Sequence, residues 1–302
     1  MRLALTRLAQ GVPEPLAGLA PAKINLTLEV TGRRPDGYHE LATVLQTLAL
    51  ADEVTLEPAP VASLAVTGPA AAGTPAGREN LAWRAIEALA EVLGRPPEPF
   101  RLRLEKRIPA AAGLGGGASD AATVLRLLAR HWPEADDAVL QRAAAMVGSD
   151  EPFFLVGGTA LADGRGEEVT ALPNLPEHGV VLFVPRATLP NKTATMFAAL
   201  DRDGRFDKPT VTHALGQRLP VQLTGADVFN AFERVAFDCF PKLATLWERL
   251  EARIGEPVRL AGAGPTLFWI GPPGESDRVS RLASGLDCTV IPTTTADSLW
   301  RR

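Results

Sequence analysis

The sequence predicts an α+β protein in two lobes, on three observations. Stretches of period-two alternation dominate as far as residue 106. A glycine-rich segment at 109–117 then joins a strand to a helix, and from about residue 178 strands and helices alternate. The 302 residues are enough for one large domain or two ordinary ones. With 46% hydrophobic and 22% charged residues, the chain has the balance of one that buries a core rather than staying disordered.

Along the chain, residues 1–19 read as a loosely attached extension. Ile24, Leu26, Leu28 and Val30 then alternate with Asn25, Thr27 and Glu29, the pattern of a half-buried strand. Pro35-Asp36-Gly37 marks a turn. Val54 and Leu56, then Leu64 and Val66, suggest further antiparallel strands separated by a Pro/Ala-rich loop. Leu81, Ala85, Leu89 and Leu93 fall at helical spacing over 80–93, and Phe100, Leu102 and Leu104 alternate with Arg101, Arg103 and Glu105 as a strand over 100–106. Beyond the glycine-rich segment, Ala121, Val124, Leu125 and Leu128 stand on one face of a helix. A second helical stretch at about 137–146 ends at Gly148. GSDEPFF reads as a loop and GGTALADGRGEEV as a hairpin. The apolar, β-branched run 180–184 is a buried strand that opens the second half. Helices near 192–201 and 241–253 and strands near 257–261, 266–270 and 288–291 complete it. The expected division is an extension at 1–19, one domain at 20–175 and another at 176–302.

Composition excludes several classes of function. A formal charge of -4 offers no electrostatic reason to bind nucleic acid. Cys239 and Cys288 lie far apart with no CxxC spacing, so they read as idle thiols rather than a disulfide or redox pair. His39, His131, His178 and His213 form no HxxxH-type cluster, and no metal-ligating set is expected. MRLALTRLAQGVPEPLAG lacks an apolar region of signal-peptide length, and the uncharged stretch 58–77 is too rich in Pro and Gly for a transmembrane helix. A cytoplasmic protein is expected, with no nucleic-acid, membrane or obligate protein partner. Two side chains are scarce: Tyr38 is the only tyrosine, and the lysines are Lys23, Lys106, Lys192, Lys208 and Lys242.

The segment Pro109-AAAGLGGGAS-Asp120 carries the clearest chemistry. Gly113, Gly115, Gly116 and Gly117 allow a sharp turn and close backbone approach to a ligand. The helix that follows points free N–H groups and its positive dipole end at whatever sits there, and a phosphate suits that position. One glycine is enough for a bare strand-to-helix turn. No Gly-Lys-Ser/Thr occurs, so the segment is not a Walker A loop. GLGGGA fits a relaxed dinucleotide pattern, but RLRLEKR is a one-sided strand, unlike the doubly buried strand of a dinucleotide fold. Asp120 suits the helix dipole but repels a phosphate placed too close, so the phosphates are expected over the glycines.

With Lys106 just ahead of it, P-x-x-x-G-L-G-G-G-A-S-D resembles the phosphate loop of the GHMP kinases. A-P-A-K-I-N-L-x-L-x-V-x-G-x-R-x-D-G-Y-H-E-L at 20–41, G-S-D-x-P-F-F at 148–154 and G-G-x-A-L-A-x-G-R-G-E at 157–167 extend the resemblance. They point it to the branch that phosphorylates a cytidine-diphosphate-linked methylerythritol. The resemblance runs from about residue 20 to about residue 270 in four motifs. It implies a two-lobe α+β architecture, with an N-terminal lobe like ribosomal protein S5 domain 2 and a ferredoxin-like C-terminal lobe. It also implies transfer of the ATP γ-phosphoryl group to the 2-hydroxyl of the methylerythritol moiety, in the non-mevalonate route to isoprenoid precursors. The other readings are another GHMP kinase such as a homoserine kinase, a non-catalytic nucleotide-binding module, and a dinucleotide oxidoreductase.

The resemblance also implies roles for individual residues. From the residues alone, Asp150 is equally a loop aspartate in an Asx-turn or an acid/base group; the resemblance implies the latter. It sets Lys23 beside Asp150, where an ammonium offsets charge developing on oxygen. Asn25, Tyr38 and His39 are implied at the acceptor substrate, with Tyr38 stacking on cytosine. Thr193 and Phe197 match a segment that closes over the other face of the base, although TLPNKTATMF departs from the usual wording. On the ATP side stand Asn80, Lys106, Pro109, Gly113, Leu114, Gly115, Gly116, Gly117 and Ser119. Asn80 also reads as a helix N-cap, and Lys106 as a strand lysine with a solvated head. Gly262, Gly264 and Pro265 match a last glycine loop, with Ala261 and Ala263 where small hydroxyl residues are usual. Magnesium is expected with ATP on chemical grounds, with no protein ligand assigned.

Overall fold

The computed structural model describes residues 15–187 and 189–298. β1 (Leu16–Arg33) and β2 (His39–Pro58) form a long antiparallel ribbon across the Pro35-Asp36-Gly37 turn. β2 is double-duty: its first half, Leu41–Gln46, takes β5 (Thr159–Gly164) as a partner, and its second half takes β4 (Phe100–Glu105). β3 (Ser63–Thr67) lies parallel to β4, and β6 (Glu168–Ala171) closes a hairpin with β5. β4 shows why the alternation was readable: Phe100, Leu102 and Leu104 are buried, while Arg101 and Arg103 face outward beside Glu57.

The helices α1 (Leu81–Val92), α2 (Gly116–His131), α3 (Asp137–Val147) and α4 (Glu151–Val156) contribute to one apolar core with this sheet. α2 is buried on nearly all sides from Ala118 to Leu125, as befits a helix in the middle of a layer. Its alanines allow neighbouring elements to come close.

In the second half, β7 (Gly179–Pro185), β9 (Arg259–Leu260), β10 (Leu267–Gly271) and β11 (Cys288–Thr294) form an antiparallel sheet in the order β11-β7-β10-β9. Numbered within that half the order is 4-1-3-2, the ferredoxin-like arrangement. Its core holds residues of α5 (Lys192–Asp203), α7 (Glu233–Cys239), α8 (Leu243–Ile254) and α9 (Ser276–Leu282). α6 (Thr210–Arg218) instead packs on β1 and β2, and the short β8 (Phe229–Asn230) adds parallel to β1, completing a seven-stranded first sheet. A third core joins the halves: Ile24 and Leu26 of β1 meet Leu182 of β7 and Phe268 of β10, together with Ile108 and Leu114 of the glycine loop. The two-lobe α+β architecture is thus present, and the glycine loop is built into the seam. Among the described residues, no helix is long and apolar enough to cross a membrane.

Several expectations change. The extension ends earlier than residue 19, because β1 starts at Leu16 and pairs with Leu56; the remainder, 1–14, lies outside the described residues. GSDEPFF is not all loop: α4 begins at Glu151 with Pro152 in its first turn, where the missing proline N–H costs nothing. α6, α7 and α9 were not foreseen. The division at 175/176 falls between the two sheets, but β8 and α6 reach back across it.

Candidate active site

The glycine loop is anchored from below by charge. The Lys106 ammonium, at the end of β4, is held by both Asp52 and Asp120, and all three side chains are buried. The other oxygen of Asp52 accepts the backbone N–H groups of Arg107 (2.5 Å) and Ile108 (2.8 Å). Burial pushes the Asp120 carboxyl up, and Lys106 opposes that shift. Above this anchor the chain turns through Gly113 (φ 90°) and Gly115 (φ 73°). Gly115 caps α2 in the left-handed conformation with no side-chain hydrogen bond, so the first N–H groups of a 16-residue helix open onto a cleft of about 1190 Å³.

The two special glycines are required by proximity. A Cβ on Gly113 would lie 2.2 Å from the Ala261 carbonyl oxygen, and one on Gly115 would lie 2.7 Å from the Phe154 ring and 3.0 Å from Cγ of Lys23. Gly113→Ala is therefore expected to pry the glycine loop from the 261–264 loop. A shift of this kind lowers kcat/KM by about 100-fold, and steady-state kinetics beside a thermal melt will show it.

Lys23 and Asp150 meet at the end of this loop. Lys23 donates its backbone N–H to the Leu114 carbonyl (3.0 Å), so strand and loop are tied at that residue. Its ammonium is buried, donates to Asn25 Oδ1 at 2.9 Å and lies 3.6 Å from Asp150 Oδ2. Asn25 is oriented in turn, donating from Nδ2 to Thr43 Oγ1 (2.8 Å), which donates to the Thr27 carbonyl (2.5 Å). Asp150 precedes α4, yet its side chain caps no helix N–H. With the side chain 48% exposed, its carboxylate faces the cleft beside a sequestered cation.

Next to it, Glu151 is buried, and burial followed by the charge of Asp150 pushes its carboxyl up to about 7. A raised carboxyl pKa means the folded state holds the proton more tightly than the unfolded chain, so stability declines as pH rises from the ordinary value toward 7. Glu151→Gln removes that loss. The variant is expected to melt higher than wild type by about 5 °C at pH 8, with the gap closing toward pH 5.

The far end of the same cleft is lined by rings. The turn places Tyr38 at the surface, 53% exposed, with the Arg165 guanidinium 4.6 Å above its ring. His39 is buried, donates from Nε2 to Asp201 Oδ1 (2.8 Å) and stacks on Phe197 at 4.3 Å and 14°. Phe197 in turn meets Phe232 edge-on. Thr193, Phe197 and Asp201 come from successive turns of α5, which makes that helix one wall of the cleft. At its start, Lys192 donates to the Gly264 carbonyl (2.5 Å).

The structure thus brings together Lys23, Asn25, Tyr38, His39, Pro109, Gly113 to Gly117, Asp150, Thr193 and Phe197 around one cleft. Three residues expected on the ATP side have partners or positions within the protein itself. Asn80 engages its amide with the backbone: Oδ1 caps α1 at the Ala82 N–H (2.9 Å) and Nδ2 donates to the Pro75 carbonyl (2.7 Å). Lys106 is not a free cation over the nucleotide, because two carboxylates hold it. Ser119 is fully buried within α2 and its hydroxyl does not open onto the cleft. Asp52, Arg165, Lys192 and Asp201 were not foreseen. Arg165 alone had a signal, since it stands inside the G-R-G-E motif.

Among the described residues no three His, Cys, Asp or Glu side chains are grouped to hold a metal, and the loop hydroxyl of Ser119 is sealed in the core.

Comparison with known proteins agrees with this geometry. The family "GHMP kinases N terminal domain" matches residues 80–158. A 4-diphosphocytidyl-2-C-methyl-D-erythritol kinase of Dehalococcoides mccartyi is 40% identical over 256 residues, covering 83% of this chain and 87% of the relative. One of Mycolicibacterium vanbaalenii is 46% identical over 264 residues, covering 83% and 80%. A crystal structure of 4-(cytidine 5'-diphospho)-2C-methyl-D-erythritol kinase superposes with a TM-score of 0.73 at 36% identity, over 93% of this chain and 99% of that one.

Proposed function

Because the chain belongs to the 4-diphosphocytidyl-2-C-methyl-D-erythritol kinases of the GHMP superfamily, we propose that it transfers the γ-phosphoryl group of ATP to the 2-hydroxyl of 4-diphosphocytidyl-2-C-methyl-D-erythritol. The observation that carries this reading is the single cleft, in which an open helix N-terminus, a lysine–aspartate pair and a ring-lined end follow one another. At about 1190 Å³ it exceeds the ordinary range for one small ligand, as two nucleotide-sized substrates require.

In this reading the ATP phosphates lie over Gly113 to Gly117, where backbone N–H groups and the α2 dipole offset their charge. The acceptor hydroxyl lies at Asp150, which takes its proton as the new P–O bond forms, while Lys23 offsets charge on the reacting oxygens. Asn25 and Thr43 serve by holding Lys23 in place. Cytosine lies at the ring-lined end against Tyr38, near His39, Thr193 and Phe197, and Arg165 braces the tyrosine ring from one face. Magnesium comes to the site with the ATP phosphates as part of the substrate. The product belongs to the non-mevalonate supply of isoprenoid precursors, made in the cytoplasm. The first domain, 20–175, is assigned to ATP and the second, 176–302, to closing over the acceptor, with Tyr38 and His39 contributed from the first.

ATP consumption with cytidine-diphospho-methylerythritol, set beside homoserine and mevalonate, tests this reading. Turnover with the first compound alone is expected; turnover with either of the others instead overturns it.

A further inference from the structure

The cations that line the cleft are Lys23, Arg33, Lys106, Arg165 and Lys192, and four of them are already committed. Lys106 is held by two carboxylates, Lys23 pairs with Asp150, Arg165 with Glu167, and Arg33 lies 3.9 Å from Asp201. Among the described residues, Lys192 has no carboxylate within ion-pair distance; its ammonium donates to the neutral carbonyl of Gly264. That carbonyl belongs to the loop against which Gly113 packs, so the ammonium is tethered where the glycine loop, the 262–264 loop and α5 converge.

This placement poses a physical problem that an anion solves. A partly buried ammonium beside a second ammonium, with only a carbonyl acceptor, is poorly stabilised by the protein itself. Burial, then the charge of Lys23, pushes Lys192 down to about 8, with Asp150 opposing. Phosphoryl transfer gathers negative charge at this point of the cleft, and the glycine loop contributes no lysine of its own, since the one that precedes it, Lys106, is locked beneath it.

We propose that Lys192 is a catalytic residue that leaves the Gly264 carbonyl to bind a phosphate oxygen when the substrates occupy the cleft. The assignment rests on the kinase reading above. Lys192 can meet either of two phosphate sources in that reading, the phosphoryl group in transfer or the diphosphate of the acceptor, and the kinetics of Lys192→Met separate them.

The wild-type chain is assayed first with cytidine-diphospho-methylerythritol and ATP, and failure there overturns the kinase reading itself. Given wild-type turnover, contact with the transferring group lowers kcat of Lys192→Met by about 100-fold or more with both KM values within threefold. Contact with the acceptor diphosphate raises the acceptor KM at least tenfold with kcat nearly kept. In either case Lys192→Arg recovers a large part of the loss, and the melting temperature of both variants stays near wild type. Unchanged kinetics in Lys192→Met, or a loss that Lys192→Arg does not recover in a protein of normal melting temperature, overturns the assignment.

Discussion

Asp150→Asn is expected to fold like the wild type and lose turnover by about 1000-fold, with KM for ATP and for the acceptor little changed. The carboxylate is half exposed and caps no helix N–H, so an isosteric amide disturbs little of the fold. In the proposed mechanism the carboxylate takes the hydroxyl proton, and a positioned general base contributes about 10²–10⁴-fold. An amide at that position cannot accept the proton and leaves the Lys23 charge without its counterion. Lys23→Met should resemble it in kcat, but with a lower melting temperature. The reason is that the ammonium is buried and Asn25 Oδ1 loses its donor. A near-normal kcat for both variants, measured with melting curves alongside, contradicts the assignment.

Lys106→Met is expected to fail by stability rather than by affinity. Removing the ammonium leaves Asp52 and Asp120 facing each other in the core with no cation between them. Breaking a buried pair from one side costs about 3–5 kcal/mol, or roughly 10 °C of melting temperature in a chain of this size. The second variant Lys106→Met/Asp120→Asn removes one of the stranded charges and should recover part of that loss. If the lysine served ATP as a point charge, the opposite pattern would appear: a raised KM for ATP at an unchanged melting temperature.

The parts of the site that were legible from sequence are those carried on contiguous segments. The glycine loop was legible from its own residues, while Lys23 with Asn25, the Tyr38–His39 pair and Asp150 were implied by the resemblance of the short motifs that carry them, and the fold brings those runs to one cleft. The partners that fix them were not legible, because each arrives from a distant segment. Asp52 meets Lys106 across 54 residues, and Asp201 meets His39 across 162. Nothing local to either aspartate distinguishes it from a surface carboxylate. Asn80 illustrates the reverse: its cap role was readable from its place before α1, and the fold spends both ends of its amide there.

For the fold, strands with one wet face were read well, as in β4. β2 was recovered only at its far end, around Val54 and Leu56, since its middle, Ala42–Leu48, is buried on both faces and shows no alternation. α7 and α9 are short, and their apolar positions are too few to establish a period.

Locating the phosphate in the product tests the central claim most directly. The wild-type chain is incubated with ATP and cytidine-diphospho-methylerythritol, and the product is examined by ³¹P and ¹³C NMR. The account predicts one new phosphomonoester, coupled to C2 of the methylerythritol moiety, with ADP formed in equal amount. A phosphate on another hydroxyl, or ADP release with no new phosphoester, would contradict it.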